Sequence, residues 1–254
     1  MSDHYGSARS VPTGRADMAV DAGLRSFMLG VYGKMGLGLA WSALVAYAVG
    51  AYAPITAVVL TSPVIHIVQW GPLALLLGSM FFMRNPSPTG SGILYWAVVT
   101  LIGAGLGVWV YLAMTGVTGR TVAGTSLNVT FAAMAKAFLI TAIAFGGLAL
   151  WGYTTKKDMS GLGSFLFFAI FGLVAIGILN MFVRSPMLEI GMQLAGLVLF
   201  GLLIAFQTQS LKYSYYQFQG DTRSLAVMTN YGALNLYIAF IQIFQILLSL
   251  FSRE

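Results

Sequence analysis

The amino-acid sequence predicts an all-α membrane protein with seven transmembrane helices. Of its 254 residues, 58% are hydrophobic and only 8% charged, where a soluble domain carries roughly 25% charged residues. Mean hydropathy is +0.84. The apolar residues are also gathered into runs of about 20, the length that crosses a hydrocarbon core of roughly 30 Å. The lipid bilayer is therefore the first partner the sequence implies. There is no cysteine, which excludes disulfides, thiolate catalysis and cysteine metal sites. The net charge is +6, but the 13 basic residues are scattered through the chain. That arrangement suits a topology signal and not a nucleic-acid surface.

Residues 1–24 are polar and read as a flexible cytoplasmic tail; they contain no apolar core of a secretory signal. Residues 25–254 form the transmembrane domain. The first span, 27–52, holds Gly33, Gly36, Gly38 and Ala40, small residues that let helices approach closely. Lys34 is expected to snorkel to the headgroups. The second span, 63–83, carries His66 near its mouth. The other histidine is His4, in the tail, so His66 reads as an interfacial residue and no metal site is expected.

Arg84-Asn85-Pro86-Ser87-Pro88 breaks the chain before a third span at 93–114, where Gly103 and Gly107 have the spacing of a packing face. Arg120 follows in a polar loop. The fourth span, 129–151, contains Lys136 and a packing notch at Gly146-Gly147. A basic loop follows with Lys156, Lys157 and Asp158, the last placed to cap the fifth helix at 164–183. The sixth span runs from Glu189 to Gln209, and residues 210–226 read as the longest internal polar loop. The seventh span is 228–251.

Counting basic residues in tail and loops gives an orientation. Arg9, Arg15, Arg25, Arg84, Lys156, Lys157, Lys212 and Arg223 fall on one side, and Arg120, Arg184 and Arg253 on the other. The positive-inside rule then puts the N-terminus in the cytoplasm.

The candidate site is polar. Phe206-Gln207-Thr208-Gln209 ends the sixth span, and Asn235 and Gln242 are seven apart on the seventh, with Ala239 between them on the same face. Polar side chains at membrane depth face a bundle interior or a water-filled cavity. Gln207, Gln209, Asn235 and Gln242 are thus either the lining of a non-titrating pathway or interhelical hydrogen bonds worth about 0.5–2 kcal/mol each. Catalysis is not expected: no acidic residue lies mid-span, no Ser-His dyad is in place and no HExxH motif occurs.

Several stretches resemble the Bax inhibitor-1 (TMBIM) family of bacterial and eukaryotic membrane proteins. Phe138-Leu139-Ile140-Thr141-Ala142, Phe145-Gly146-Gly147 and Gly152-Tyr153-Thr154-Thr155-Lys156-Lys157-Asp158-Met159-Ser160-Gly161 are similar to its fourth helix and following loop. Gly232 to Phe244 is similar to its last helix, and Asp21-Gly23-Leu24-Arg25 with Val31-Tyr32 and Met35 to its entry into the first. The resemblance implies a bundle with the last helix at the centre and location in a bacterial inner membrane. It also implies an ion (calcium) leak pathway, pH-dependent in some members, or, as the alternative, a non-conducting regulator acting by contact with a membrane AAA protease or other membrane partner, as in some bacterial relatives. No cofactor is implied.

The family's pH response rests on two aspartates, which correspond to Gln207 and Ala239 here. A carboxylate pair shares a proton and attracts a hard cation; an amide and a methyl group do neither. A basic latch residue of some relatives corresponds to Arg84, which lacks the acidic counter-charge.

Overall fold

The computed structural model describes residues 13–82, 85–121, 124–155 and 157–253, with side chains from Ala22 onward. Residues 1–12 of the expected tail, the latch candidate Arg84 and the loop residue Lys156 lie outside the described residues.

Among the described residues the order is α1 (Thr13–Ala51), α2 (Ala53–Val59), α3 (Val64–Phe82), α4 (Pro88–Thr115), β1 (Gly119–Arg120), β2 (Ser126–Leu127), α5 (Phe131–Thr154), α6 (Ser160–Val183), α7 (Pro186–Gln217) and α8 (Thr222–Phe251). All helices but the seven-residue α2 are long and apolar enough to cross a membrane, giving the seven spans expected. Local chemistry sets their starts. Ser87, Thr130 and Ser185 each accept a hydrogen bond from the backbone N–H three residues on, and Pro88 and Pro186 occupy first-turn positions.

Several boundaries differ from the sequence reading, most at two places; α4 and α6 also start earlier than expected, at Pro88 and Ser160. Helix α1 begins at Thr13, so the later half of the expected tail is helical. The expected loop 210–226 is mostly helix: α7 continues to Gln217 and α8 starts at Thr222. Tyr215 explains the extension. It is buried, its ring centroid lies 5.6 Å from that of Phe27, and a Cβ on Gly23 would meet its hydroxyl at 2.0 Å. The segment is polar in composition but has one face packed on α1. The Arg120 loop, in turn, forms the β1–β2 hairpin.

More than half of the apolar window of α8 is buried against 6% for α3 and α6, so α8 is the inner helix and those two are peripheral. Helices α1, α4, α5 and α7 surround α8, while α6 leans on α7 and α3 on α4. Close packing concentrates between α1 and α4, where a Cβ on Gly103 would fall 2.9 Å from the Ser42 Cα and one on Gly107 2.5 Å from a Val49 methyl. Gly38 leaves room for the Tyr95 hydroxyl. Gly33, Gly36, Gly146 and Gly147 would each place a Cβ in open space, so the expected notch at Gly146-Gly147 packs against nothing. Its neighbour Gly152 is the tight one, since a Cβ there would lie 2.3 Å from the Ala205 carbonyl oxygen.

Candidate functional site

Gly152 brings the end of α5 against α7 one residue before Phe206. The stretch that follows points in three directions. Gln207 is half-buried, and its Oε1 is buried with no hydrogen-bond donor. Thr208 is fully buried and accepts from the Tyr32 hydroxyl at 3.5 Å. Gln209 turns to the loop before α6: its Oε1 accepts from Met159 N at 2.9 Å and its Nε2 donates to the Lys157 carbonyl at 2.8 Å. This amide satisfies backbone groups at a helix start, where orphan N–H donors need partners. Gln209 therefore clamps the loop between α5 and α6. Asp158 also binds that helix start, accepting from Ser160 N at 2.9 Å and Ser160 Oγ at 3.0 Å. Those hydrogen bonds hold its exposed carboxyl below the usual carboxylate range.

On α8 the expected shared face divides. Ala239 is fully buried, Asn235 is exposed and Gln242 is half-buried. Four residues advance about 40° past a full turn, and three fall about 60° short of one. Ala239 thus stands off the line joining Asn235 and Gln242, and that offset carries it into the core. The Gly232–Leu211 and Gly196–Ile246 contacts run α7 and α8 antiparallel. In that register Gln207 is level with Asn235 and Leu236, and Ala239 with Ile204, about one turn further along.

Gln242 belongs to a cavity of about 700 Å³ between α3, α4 and α8. Gln69 and Gln245 bring two more amides into the same wall, beside Trp70 and Trp109. The sequence reading missed both. Gln245 lies three residues after Gln242 and so shares its helix face, which was the available signal; Gln69 stands alone in an apolar run.

Two polar clusters close the bundle at its ends. Lys34 does not snorkel: its ammonium donates to Asn230 Oδ1 and sits 5.1 Å from the centroid of the Tyr95 ring. The Asn230 amide then donates to Ser91 Oγ at 2.8 Å and the Pro88 carbonyl at 2.9 Å, while the Tyr95 hydroxyl donates to the Lys34 carbonyl at 2.7 Å. Deeper along α8, the Tyr237 hydroxyl and Ser42 Oγ share a hydrogen bond of 2.6 Å.

At the far end Arg253 pairs with Glu189 at 2.6 Å and donates to Gln193 Oε1 at 2.9 Å. Thr121 donates to the other Glu189 oxygen at 2.8 Å, and Gln193 donates to Ser249 Oγ at 3.0 Å. The hairpin is tied in as well, through a Leu127–Arg253 bridge and an Asn128 N–H donated to the Ser252 carbonyl at 2.7 Å. Between these clusters Tyr95, Tyr237, Leu234, Leu236 and Val98 are fully buried. Among the described residues no group of three or more acidic or histidine side chains converges as a metal site.

A single inner helix wrapped by its neighbours, with polar groups at both ends and a largely apolar cavity carrying three amides on its flank, defines a polytopic helical membrane protein of the seven-span class. The sequence model of the family "Inhibitor of apoptosis-promoting Bax1" matches residues 24–254. A Caulobacter vibrioides protein is 46% identical over 97% of this chain and 96% of its own length. The inner membrane protein YbhL of Escherichia coli K12 is 32% identical over 94% of this chain and 97% of its own. A Rickettsia prowazekii protein is 31% identical over 93% of each. This chain belongs to the Bax inhibitor-1 family.

Proposed function

We propose that the protein is a non-catalytic inner-membrane protein forming a passive ion leak along α8, closed in this conformation and without a titratable gate. The cavity of about 700 Å³ carrying Gln69, Gln242 and Gln245 supports this reading. Amides at membrane depth offer dipoles to a hydrated ion, whereas carboxylates would bind a divalent cation tightly. The buried Tyr95–Tyr237 layer is the barrier that must move for conduction. An inner-membrane location follows the name of YbhL, and a cytoplasmic N-terminus follows the positive-inside rule.

Purified protein in vesicles, assayed for calcium and monovalent-ion flux at acidic and neutral pH, tests the leak. Flux above empty vesicles that is equal at the two pH values is the expected result; flux no different from empty vesicles sinks the proposal. The Gln207→Asp, Ala239→Asp double variant is expected to gain pH dependence. Because the chain has no cysteine, single Gln219→Cys and Thr118→Cys variants report orientation cleanly by labelling from one side; both positions are exposed.

The second reading is a regulator that acts by contact with a membrane AAA protease. It draws on α6, which packs on α7 and turns Phe165, Phe167, Phe168 and Phe171 outward. Affinity purification from native membranes with no protease enriched counts against it.

A further inference from the structure

Helices α1 and α5 share no extended packing interface. Between them lies a crevice of about 540 Å³, in the range of small-ligand sites, whose lining includes Arg25, Tyr32, Phe145, Gly146 and Tyr153. Charge and depth are arranged along it. Arg25 and Tyr153 stand at the mouth, and Lys212 approaches from α7, donating to the Tyr153 carbonyl at 3.4 Å with its ammonium 5.3 Å from that ring's centroid. Arg25 is exposed, and neither Arg25 nor Lys212 pairs with a carboxylate among the residues whose side chains are described, Ala22 onward.

From Arg25 to Tyr32 on α1, and from Tyr153 to Phe145 on α5, the slot runs about 10–12 Å into the bundle at 1.5 Å per residue. Its inner wall is apolar, and at Gly146 a side chain is missing where one would have open space. A charged mouth at the membrane surface above an apolar slot has the shape of a phospholipid. Basic pockets between helices recognise anionic headgroups.

We propose that this crevice binds one anionic phospholipid, its phosphate between Arg25 and Lys212 and an acyl chain along Gly146 towards Tyr32 and Phe145. The inference stands independently of the leak. At its floor Tyr32 holds Thr208, so the lipid would rest on the contact that joins α1 to the Gln207 stretch of α7.

Native mass spectrometry of the full chain tests it, with phosphatidylglycerol or phosphatidylcholine added to the detergent-solubilised protein. Wild type is expected to retain one phosphatidylglycerol at roughly tenfold the occupancy of phosphatidylcholine. The Arg25→Gln, Lys212→Gln double variant should fall to the phosphatidylcholine level. Gly146→Leu should lose both lipids by filling the slot, and Lys136→Gln, a charge loss elsewhere on α5, should behave as wild type. A photoreactive phosphatidylglycerol should crosslink to peptides containing Phe145 or Tyr153, which reads the site without any substitution. Equal retention of the two lipids, retention unchanged in the double variant or in Gly146→Leu, or crosslinks confined to other helices overturns the proposal.

Discussion

The two termini of α8 are held by different chemistry. Its C-terminal end is a buried lock in which Arg253 and Glu189, with side chains 13% and 10% exposed, form an ion pair wrapped by Gln193, Thr121 and the hairpin. A cation there also complements the carbonyl end of the helix dipole. Its N-terminal end is capped by Asp221 in solvent, and the neighbouring Lys34 is held by the neutral amide of Asn230. Charge meets charge at one end and a dipole at the other. The second arrangement is the weaker tie, and the α1–α5 crevice opens on that same side. Opening along α8 is therefore expected to begin at the Asn230 end.

The largest effect should come from splitting the lock. Glu189→Gln leaves Arg253 buried without its counter-charge, at a cost of about 3 kcal/mol. Replacing both partners, as Glu189→Gln with Arg253→Met, should recover much of that loss. Thermal unfolding in detergent decides it, and a single-variant loss below about 1 kcal/mol would show that the pair is not desolvated enough to matter.

Next in size is a contrast between packed and open faces. Gly107→Ala drives a methyl into Val49 and should cost about 1–3 kcal/mol by overpacking. Gly147→Ala makes the same chemical change in open space and should be neutral, or stabilising by up to about 1 kcal/mol from helix propensity. Equal losses at the two positions would mean that α5 is packed where the structure leaves it open.

These glycines also show what the sequence could and could not tell. Seven spans were legible because apolar length is a local property, and so was the inner position of the last helix through its resemblance to the family. Gly103/Gly107 and Gly146-Gly147 look alike locally; only the tertiary arrangement puts α1 against the first pair and a gap against the second. Glu189 and Arg253 are 64 residues apart, so no spacing rule joins them. Ser210–Gln217 was misread because composition reports polarity, whereas one tyrosine face decided its structure. The four candidate amides read alike in the sequence, but tertiary packing separates them: Gln242 borders a cavity, Gln209 bonds the α5–α6 loop and Asn235 is exposed.

At the weaker end, Asn230→Leu removes the acceptor for the Lys34 ammonium and should cost about 1–3 kcal/mol. Lys34→Met leaves Asn230 with Ser91 and the Pro88 carbonyl and should cost less. The order of the two losses is the test: if Lys34→Met is the more damaging, the ammonium stabilises this end through more than its bond to Asn230, with the Tyr95 ring as its other partner.

The smallest effect concerns the cap. Hydrogen bonds from the Ser224 hydroxyl and backbone hold the Asp221 carboxyl below its ordinary range. A group depressed in the folded state stabilises that state above its unfolded pKa, and the contribution disappears as pH falls through the folded value. The stabilisation is thus fully present at neutral pH and fades only below about pH 4. Asp221→Asn keeps an acceptor at the cap but cannot titrate. Melting temperatures of wild type and Asp221→Asn should differ by a constant amount between about pH 5 and 8, and the gap should narrow only in acid. A gap that changes near neutrality would place a titrating group against the N-terminal end of α8, and the proposed leak would then be pH-sensitive at that end although Gln207 and Ala239 do not titrate.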